Sequence, residues 1–327
     1  MTNFFLAPWP IYSEEDEAAV LKVLRSGKVN YWTGSETKQF EKEFAEYIGS
    51  SYSVALANGS LALSAAYISL GIKEGDEVIT TPRTFIATAS TIALLKAKPI
   101  FADVDKDSGL ITAKTIEPLI TPKTKAISVV HLGGWPAEMD IICKLAKNYN
   151  LKVVEDCSQS HGSELNGKKV GTFGEVATWS FCQDKTITTA GEGGMITTNK
   201  LNIKNIIWSM KDHGKSIDEI KKKTPTPGFR WLHKTFGNNF RLTEIQSVIG
   251  RNQLKKLDKW ITIRQRNVDL LISILNDLSA IRIPLPGQNI KVSWYKIHGY
   301  LNTENLSEDW SRDRLLLEIA NKGLPAL

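Results

Sequence analysis

The chain has 327 residues, of which 42% are hydrophobic and 23% charged; this composition excludes a disordered protein and is enough for a large domain and a smaller one. Its net charge of +6 suits an anionic substrate, although such an excess of positive charge is also common in proteins without one. The chain has no zinc-ligand spacing and no strongly basic tract, so we expect neither a metal site nor a nucleic-acid partner. The three cysteines have no paired spacing, which is typical of a reducing compartment. The sequence shows no signal-peptide pattern and no run of the ~20 apolar residues that span a bilayer, so we expect a cytoplasmic protein without a membrane partner.

Helices are predicted first, over residues 13–26 and 35–48, and the first of them has acidic residues in its opening turn, where the helix dipole favours them. From residue 52 to about residue 199, strand-like and helical runs alternate. The predicted strands cover residues 52–57, 77–80, 98–102, 126–131, 152–154 and 176–181. This alternation is typical of an α/β fold with a mostly parallel sheet and helices on both faces.

The first predicted strand is followed by Asn58, Gly59 and Ser60 and then by a helical run over residues 61–70. Small residues at a strand-to-helix turn let backbone amides approach an anion, and the helix N-terminus adds partial positive charge. The pattern predicts a phosphate site, although these residues are equally ordinary in a helix cap. A P-loop is not indicated, because its sequence pattern is missing.

Asp156 follows a buried-strand run over residues 151–154, and we expect it just past the carboxyl end of that strand. In open α/β sheets, ligands bind at that edge. A carboxylate there can keep the ring nitrogen of a cofactor protonated, or it can simply cap the next loop.

Lys185 lies in a turn rich in glycine and threonine that follows the strand predicted over residues 176–181. Its amine can form a Schiff base with an aldehyde cofactor, and can carry protons once the substrate amine has displaced it. Most lysines are merely solvated surface charges. Because Asp156 follows a neighbouring predicted strand, we favour a site for pyridoxal 5′-phosphate.

These segments, in this order, resemble the DegT/DnrJ/EryC1/StrS family of sugar aminotransferases, a branch of the fold type I pyridoxal-phosphate enzymes. The resemblance extends from about residue 8 to about residue 260. It is also carried by blocks at residues 75–79, 84–89, 101–105, 121–127, 131–134, 191–194 and 237–241. So many ordered blocks are specific for the family, but they do not indicate which sugar is the substrate.

The resemblance implies a role for each matching residue. Lys185 is expected to be the Schiff-base lysine, Asp156 the partner of the pyridine nitrogen, and Gln159 a neighbour of the phenolic oxygen. Phe85 matches the aromatic residue that stacks on the pyridine, unless it is an ordinary core phenylalanine.

The cofactor phosphate is expected to bind Gly59, Ser60 and the hydroxyl of Ser180. Asn239 is expected to reach that phosphate from the other subunit of a homodimer, because family members build each site across a subunit interface. Asn238 departs from the aromatic residue that is usual in the family.

Four further polar residues are close to these segments in sequence. His131 and His161 can each be structural, and we do not include them among the site residues. Cys157 and Cys182 flank the proposed site, but neither has a paired histidine motif, so we expect them to be small buried residues.

Relatives that remove a sugar hydroxyl carry histidine where this chain has Lys185, so the resemblance implies amino transfer. An amino acid, expected to be glutamate, would give its nitrogen to the cofactor, and a nucleotide-linked ketosugar would accept it, for surface polysaccharide or amino-sugar biosynthesis. The alternative is a catalytically silent relative that binds the cofactor and has a regulatory role.

We expect a large cofactor-binding domain over residues 1–250 and a small α+β domain over residues 251–327. A long helical region is predicted over residues 242–276, broken near Trp260, followed by a strand over 292–301 and a helix over 310–322. Family members continue beyond such a helix, so we expect a shortened small domain.

The segment over residues 211–235 contains six lysines and several turn residues. It predicts a mobile loop over the site. Lys222 and Lys223 would contact the substrate diphosphate or, equally, be solvated lysines of an exposed loop.

Overall fold

The computed structural model describes residues 9–221 and 233–324. Its strands are β1 (Tyr52–Leu56), β2 (Glu77–Thr80), β3 (Lys98–Phe101), β4 (Thr124–Val130), β5 (Lys152–Asp156), β6 (Glu164–Leu165), β7 (Lys168–Lys169), β8 (Val176–Ser180), β9 (Gly194–Thr198), β10 (Ile281–Arg282), β11 (Ile290–Lys291) and β12 (Tyr300–Leu301). Its helices are α1 (Glu14–Ser26), α2 (Glu36–Ile48), α3 (Gly59–Ser69), α4 (Ala87–Leu94), α5 (Ala113–Ile116), α6 (Met139–Asn148), α7 (Leu201–Lys211), α8 (Ile217–Lys221), α9 (Glu244–Leu275) and α10 (Arg312–Asn321). None of these helices is both long enough and apolar enough to cross a membrane.

The central sheet has the strand order β1-β9-β8-β5-β4-β2-β3. Strands β8, β5, β4, β2 and β3 are parallel, whereas β9 is antiparallel to both of its neighbours. Asp156 of β5 pairs with Val130 of β4 and with Thr178 of β8, so these three strands end at the same edge of the sheet. The predicted, mostly parallel sheet is confirmed.

Helices cover both faces of this sheet, because successive side chains of a strand point to opposite sides. Val54 and Leu56 of β1 pack with side chains of α3 and α7, whereas Ala55 between them packs with side chains of α2 and α9. In β4, Ala126 packs on the first side and Ile127 packs near α6 on the second. The helical layers on both faces are therefore also as predicted.

Helix α9 is continuous over 32 residues, so the predicted break near Trp260 is wrong. Neither proline nor glycine occurs between residues 251 and 275 to interrupt it. Trp260 packs edge to face against Trp9, with the ring centroids 5.2 Å apart.

Helix α9 crosses the expected domain boundary at residue 250. Its first half packs on α1 and α2, and Val268 in its second half contacts Val292 and Trp294. The division into two domains stays a prediction.

The strand predicted over residues 292–301 is also wrong, since β12 covers only its last two residues. The backbone amide of Ser293 donates to the hydroxyl of Ser163 at 3.0 Å instead of to a neighbouring strand. Trp294 has φ of 51°, a left-handed conformation that ends an extended run. The predicted helix over residues 310–322 is confirmed by α10.

Candidate active site

A cavity of about 820 Å³ opens at the carboxyl ends of the parallel strands. Its wall includes the first turn of α3, the turn after β2, the ends of β5 and β8, and the side chains of Tyr295, Lys296 and His298. Seven of the eight predicted site residues line it, namely Gly59, Ser60, Phe85, Asp156, Gln159, Ser180 and Lys185. Segments far apart in sequence are thus brought together at the edge where ligands of such sheets bind.

The first turn of α3 and the end of β8 form a cradle for an anion. The side-chain oxygen of Asn58 caps the helix by accepting from the amide of Leu61 at 2.9 Å. The backbone amides of Gly59 and Ser60 precede that of Leu61 in the first turn of α3, so they have no carbonyl acceptor inside the helix. A Cβ on Gly59 would lie 2.8 Å from the Cβ of Ser180, so glycine is required for this approach. The helix terminus and the Ser180 hydroxyl can together hold a phosphate.

Asp156 is the last residue of β5 and not, as predicted, the residue beyond the strand. It is only 4% exposed. Its Oδ2 accepts from the hydroxyl of Thr88 at 2.9 Å, and its Oδ1 accepts from the amide of Ser158 at 3.1 Å. The carboxylate therefore caps the following loop, and it also lines the cavity. Its role as the partner of a cofactor ring nitrogen stays a prediction.

The amine of Lys185 is enclosed, and the side chain is only 14% exposed. Its Nζ lies 3.4 Å from the hydroxyl of Tyr295 and 3.4 Å from Oδ2 of Asp184. The backbone carbonyl of Lys185 accepts from the indole N–H of Trp9 at 3.1 Å, which fixes the turn. Lys185 is therefore not a solvated surface lysine.

The charges around this amine follow from its two neighbours. The hydroxyl of Tyr295 donates to the carboxylate of Asp184. Burial, and then the adjacent carboxylate, raises the pKa of Tyr295. Burial would raise the pKa of Asp184, but the hydrogen bond from Tyr295 and the charge of Lys185 outweigh it and lower that pKa below its usual value. At neutral pH the lysine therefore faces an ionised carboxylate and a protonated phenol.

The side chain of Gln159 has a defined orientation. Its Oε1 accepts from the backbone amide of Gly133 at 2.7 Å, so its N–H groups remain for an acceptor in the cavity. Gly133 has φ of 66°, and a Cβ there would lie 2.7 Å from Cε1 of His298. Glycine is therefore required at the turn that orients this amide.

Phe85 follows β2 at the cavity and is 70% exposed. This exposure contradicts the alternative of a core phenylalanine, which would be buried. An exposed ring at a cavity is available to stack on a planar ligand, but its stacking role stays a prediction.

His131 is a structural residue. It is fully buried, its Nδ1 accepts from the amide of Ala137 at 3.1 Å, and its Nε2 therefore donates to Glu155 at 3.2 Å. Glu155 also accepts from three backbone amides. Although His131, Glu155 and Cys157 lie close enough to hold an ion, the first two are already engaged in these hydrogen bonds.

His161 is buried beside the rings of Trp179 and Phe181, at centroid distances of 5.4 and 5.7 Å. Burial, and then the positive charge of Lys185, lowers the pKa of His161 to about 3. The imidazole is therefore neutral at physiological pH. It packs within the core under the site and does not line the cavity.

Asn239 is the one predicted site residue that does not line this cavity. It is exposed and forms an isolated antiparallel bridge with Asp212. Its proposed contact with the phosphate of another subunit stays a prediction. Lys222 and Lys223 lie outside the described residues.

The sequence did not indicate several residues of the cavity wall. Thr88 lies inside the block at residues 84–89 that carries the family resemblance, and Arg83 immediately precedes that block. The resemblance could therefore have indicated both residues. Tyr295 and His298 belong to a segment that was mistaken for a strand, and nothing in the sequence connects that segment to Lys185.

Comparison with known proteins gives a consistent result. The model of the DegT/DnrJ/EryC1/StrS aminotransferase family matches residues 10–326. The crystal structure of an aminotransferase from Psychrobacter cryohalolentis superposes with a TM-score of 0.96 at 45% identity, over 98% of this chain and 83% of that one. An uncharacterised protein of Methanocaldococcus jannaschii is 37% identical over 92% of this chain and 78% of its own length.

GDP-perosamine synthase from Escherichia coli O157:H7 is 40% identical over 245 residues, which are 75% of this chain. The match covers 64% of the synthase, so this chain aligns with less than two thirds of that relative. The segments that form the cavity lie within the part of the chain matched by the family model.

Proposed function

Since the chain belongs to the DegT/DnrJ/EryC1/StrS aminotransferase family, we propose that it transfers an amino group from an amino acid, expected to be glutamate, to a ketosugar linked to a nucleoside diphosphate. The observation that carries the proposal is the enclosed amine of Lys185 in a cavity shared with Asp156. The similarity to GDP-perosamine synthase supports a nucleotide-linked sugar as the acceptor.

Pyridoxal 5′-phosphate is the cofactor, as in the family, and the residues of the cavity fit it. The cradle at Gly59 and Ser180 would hold the phosphate, because a side chain at Gly59 would fill that space. Asp156 would hold the ring nitrogen, and the free N–H groups of Gln159 would donate to the phenolic oxygen. When bound, the cofactor supplies an electron sink for the reacting carbon of the substrate.

The residues of this chain contribute orientation and proton transfer. The amine of Lys185 would move the proton at the reacting carbon, a contribution of about 10²–10⁴-fold to the rate when a base is well positioned. Tyr295 and Asp184 would hold that amine in place through the contacts at 3.4 Å. The exposed ring of Phe85 would cover one face of the site and exclude water.

Two observations support a homodimer with shared sites. Phe85, Ile86 and Leu94 are 70%, 67% and 80% exposed, although all three are large apolar residues of the turn after β2 and of α4. A second copy of the chain would cover them. Asn239 lies outside the cavity of its own chain, which fits a residue that serves the site of the partner.

The three cysteines are unpaired in the structure, which supports the proposal of a reducing, cytoplasmic location. An aminated sugar nucleotide formed there would serve surface polysaccharide or amino-sugar biosynthesis.

The reaction can be tested in two halves. Glutamate added to the cofactor-loaded protein should remove the yellow colour of the bound aldehyde, and an acceptor ketosugar should restore it. A panel of UDP-, dTDP- and GDP-linked ketosugars would identify the acceptor. Cofactor colour that no amino acid changes would contradict the proposal and favour a silent, regulatory relative.

The shared site can be tested by complementation. Lys185→Ala and Asn239→Asp should each be inactive alone, because the second introduces a negative charge beside the phosphate. In an equimolar mixture of the two variants, random assortment makes half of the dimers mixed, and one of the two sites in each mixed dimer has both native residues. The mixture should therefore recover up to a quarter of the wild-type activity. Light scattering should show a dimer, and a monomer that is fully active would contradict the shared site.

A further inference from the structure

Arg83 lines the cavity from the turn after β2, two residues before Phe85. Its backbone amide donates to the hydroxyl of Thr81 at 3.0 Å, and its Nη1 donates to the hydroxyl of Tyr300 at 2.7 Å. The guanidinium packs so closely over Gly109 that a Cβ there would lie 1.7 Å from Nη1. The side chain is therefore fixed in its position before any ligand binds.

The guanidinium nevertheless keeps most of its hydrogen-bonding capacity. Arginine has five N–H donors, and the phenol of Tyr300 takes only one of them. Within residues 9–221 and 233–324, no carboxylate forms an ion pair with Arg83. A fixed, half-buried guanidinium with free donors suits a ligand with paired anionic oxygens.

The carboxylates that share the cavity already have other partners. Asp156 accepts from Thr88 and Ser158. Asp184 accepts from Tyr295 and Lys185. The remaining one, Glu192, is contacted by the thiol of Cys182 at 3.8 Å. None of the three neutralises Arg83.

Lys296 and His298 line the same cavity and complete this part of its wall. The amide of Lys296 donates to the carbonyl of Gly133 at 3.2 Å, which ties this segment to the turn that orients Gln159. Burial, and then the charges of Arg83 and Lys296, lowers the pKa of His298 to about 4, so its imidazole is a neutral hydrogen-bonding group at pH 7. Two cations and this imidazole thus face a common space.

We propose that Arg83 and Lys296 form a second anion subsite in the cavity, separate from the phosphate cradle at the N-terminus of α3. The subsite rests on the proposed function and binds anionic oxygens of a substrate, which belong either to the carboxylate of the amino donor or to the diphosphate of the nucleotide-linked acceptor. The two substrates of a transamination occupy the site in turn, so one fixed guanidinium can serve whichever of them presents its anion there.

The test measures binding to cofactor-loaded protein, in which the cradle at α3 is already occupied. Inorganic pyrophosphate and glutarate, as probes of the two substrate anions, are titrated by calorimetry. Arg83→Gln should weaken at least one probe by about tenfold or more, because hydrogen bonds to charged groups contribute at that scale. Arg83→Lys should restore part of the affinity, since it keeps the charge and loses the planar fork.

Arg282→Gln is a matched control. The guanidinium of Arg282 lies 4.7 Å from the centre of the same Tyr300 ring, but Arg282 does not line the cavity. The Arg282→Gln variant should bind both probes as the wild type does. For Arg83→Gln, an unchanged spectrum of the bound cofactor would show that the variant is folded.

A selective loss of pyrophosphate binding assigns the subsite to the acceptor diphosphate, and a selective loss of glutarate binding assigns it to the donor carboxylate. Wild-type protein that binds neither probe, or equal affinities in Arg83→Gln and Arg282→Gln, overturns the subsite. These outcomes are independent of turnover: a protein that aminates no sugar but loses a probe with Arg83→Gln retains the subsite while the proposed function fails.

Discussion

The hydroxyl of Tyr295 lies 3.4 Å from the amine of Lys185, although 110 residues separate them along the chain. The lysine follows β8 of the central sheet, whereas the tyrosine belongs to the segment between β11 and β12. Tyr295 also donates to the carboxylate of Asp184, the residue before the lysine. The C-terminal segment therefore completes the wall of the cavity and limits where the amine can lie.

Replacing Tyr295 by phenylalanine tests this contact. The ring would remain, but Asp184 and Lys185 would lose the hydroxyl between them. We expect kcat to fall by about fivefold, the effect of one hydrogen bond of about 1 kcal/mol, with little change in KM for the amino donor. The pH at which the bound cofactor changes colour should shift as well, because the charges beside Lys185 are rearranged.

The matched control is Tyr149→Phe, which removes an exposed hydroxyl that donates to Glu117 at 2.9 Å. It should leave both kcat and the colour change as in the wild type. If Tyr295→Phe behaves in the same way as this control, the contact has no part in positioning the lysine.

Covalent attachment of the cofactor to Lys185 gives a second prediction. Borohydride reduction of the loaded protein should add the mass of the cofactor to the peptide that contains Lys185, and Lys185→Arg should carry no adduct. Arginine keeps the positive charge in the enclosed site, so this variant should still fold and bind the cofactor without a covalent bond. Peptide mass spectrometry distinguishes the two.

Lys296→Arg is the control for that experiment, because Lys296 lines the same cavity and should leave the adduct in place. An adduct on any lysine other than Lys185 in the wild-type protein would refute the assignment.

Six of the seven strands of the central sheet could be predicted from the sequence because they are short apolar runs that alternate with helices, whereas β9 was not predicted. Asp156 and Lys185 were found for the same reason, since the ends of parallel strands share one edge of the sheet. The structure adds the hydrogen bond from Thr88 to Asp156, which links residues 68 positions apart and leaves no trace in a local pattern.

The C-terminal part was predicted less well, because its course depends on tertiary contacts. The run of apolar and β-branched residues over 292–301 favours a strand, but the amide of Ser293 is bound by the hydroxyl of Ser163 and Trp294 adopts a positive φ. The same contacts bring Tyr295 to Lys185. The error in secondary structure and the missed site residue therefore have one cause.

Gly59→Ala tests the cradle at the start of α3. The new Cβ would lie 2.8 Å from the Cβ of Ser180 and 3.2 Å from its hydroxyl, so α3 must move away from β8. We expect the Kd of the cofactor to rise by about tenfold or more, because the amides and the hydroxyl would no longer converge on the phosphate. Absorbance titration of the apoprotein with pyridoxal 5′-phosphate measures this.

Gly299→Ala is the appropriate control, since its Cβ would meet no atom closer than 3.6 Å and would lie away from the cradle. It should bind the cofactor with wild-type affinity. Equal affinities of the two variants would show that close packing at Gly59 is not needed for the phosphate.

The pH dependence of stability can be tested at Asp16, a buried residue that caps α1. Its Oδ2 accepts from the amide of Ser13 at 2.8 Å, from the hydroxyl of Ser13 at 3.0 Å and from the amine of Lys256 at 2.8 Å. Burial would raise the pKa of Asp16, but the hydrogen bonds from Lys256 and Ser13 outweigh it and lower the pKa below its usual value. The carboxylate therefore stabilises the fold at pH values above the unfolded pKa of about 3.9, and this contribution is lost as the pH falls through the lower, folded-state pKa.

Asp16→Asn should accordingly reduce the free energy of unfolding by about 1–3 kcal/mol at pH 7, the range for a hydrogen-bonded charged group. The difference from the wild type should stay constant down to about pH 4 and shrink below it, as the wild-type carboxyl also becomes neutral. Urea unfolding at a series of pH values from 7 to 3 measures it. Glu15→Gln, one residue earlier on the exposed face of α1, should show no such change, and a difference at Asp16 that is independent of pH would mean that packing and not charge stabilises this cap.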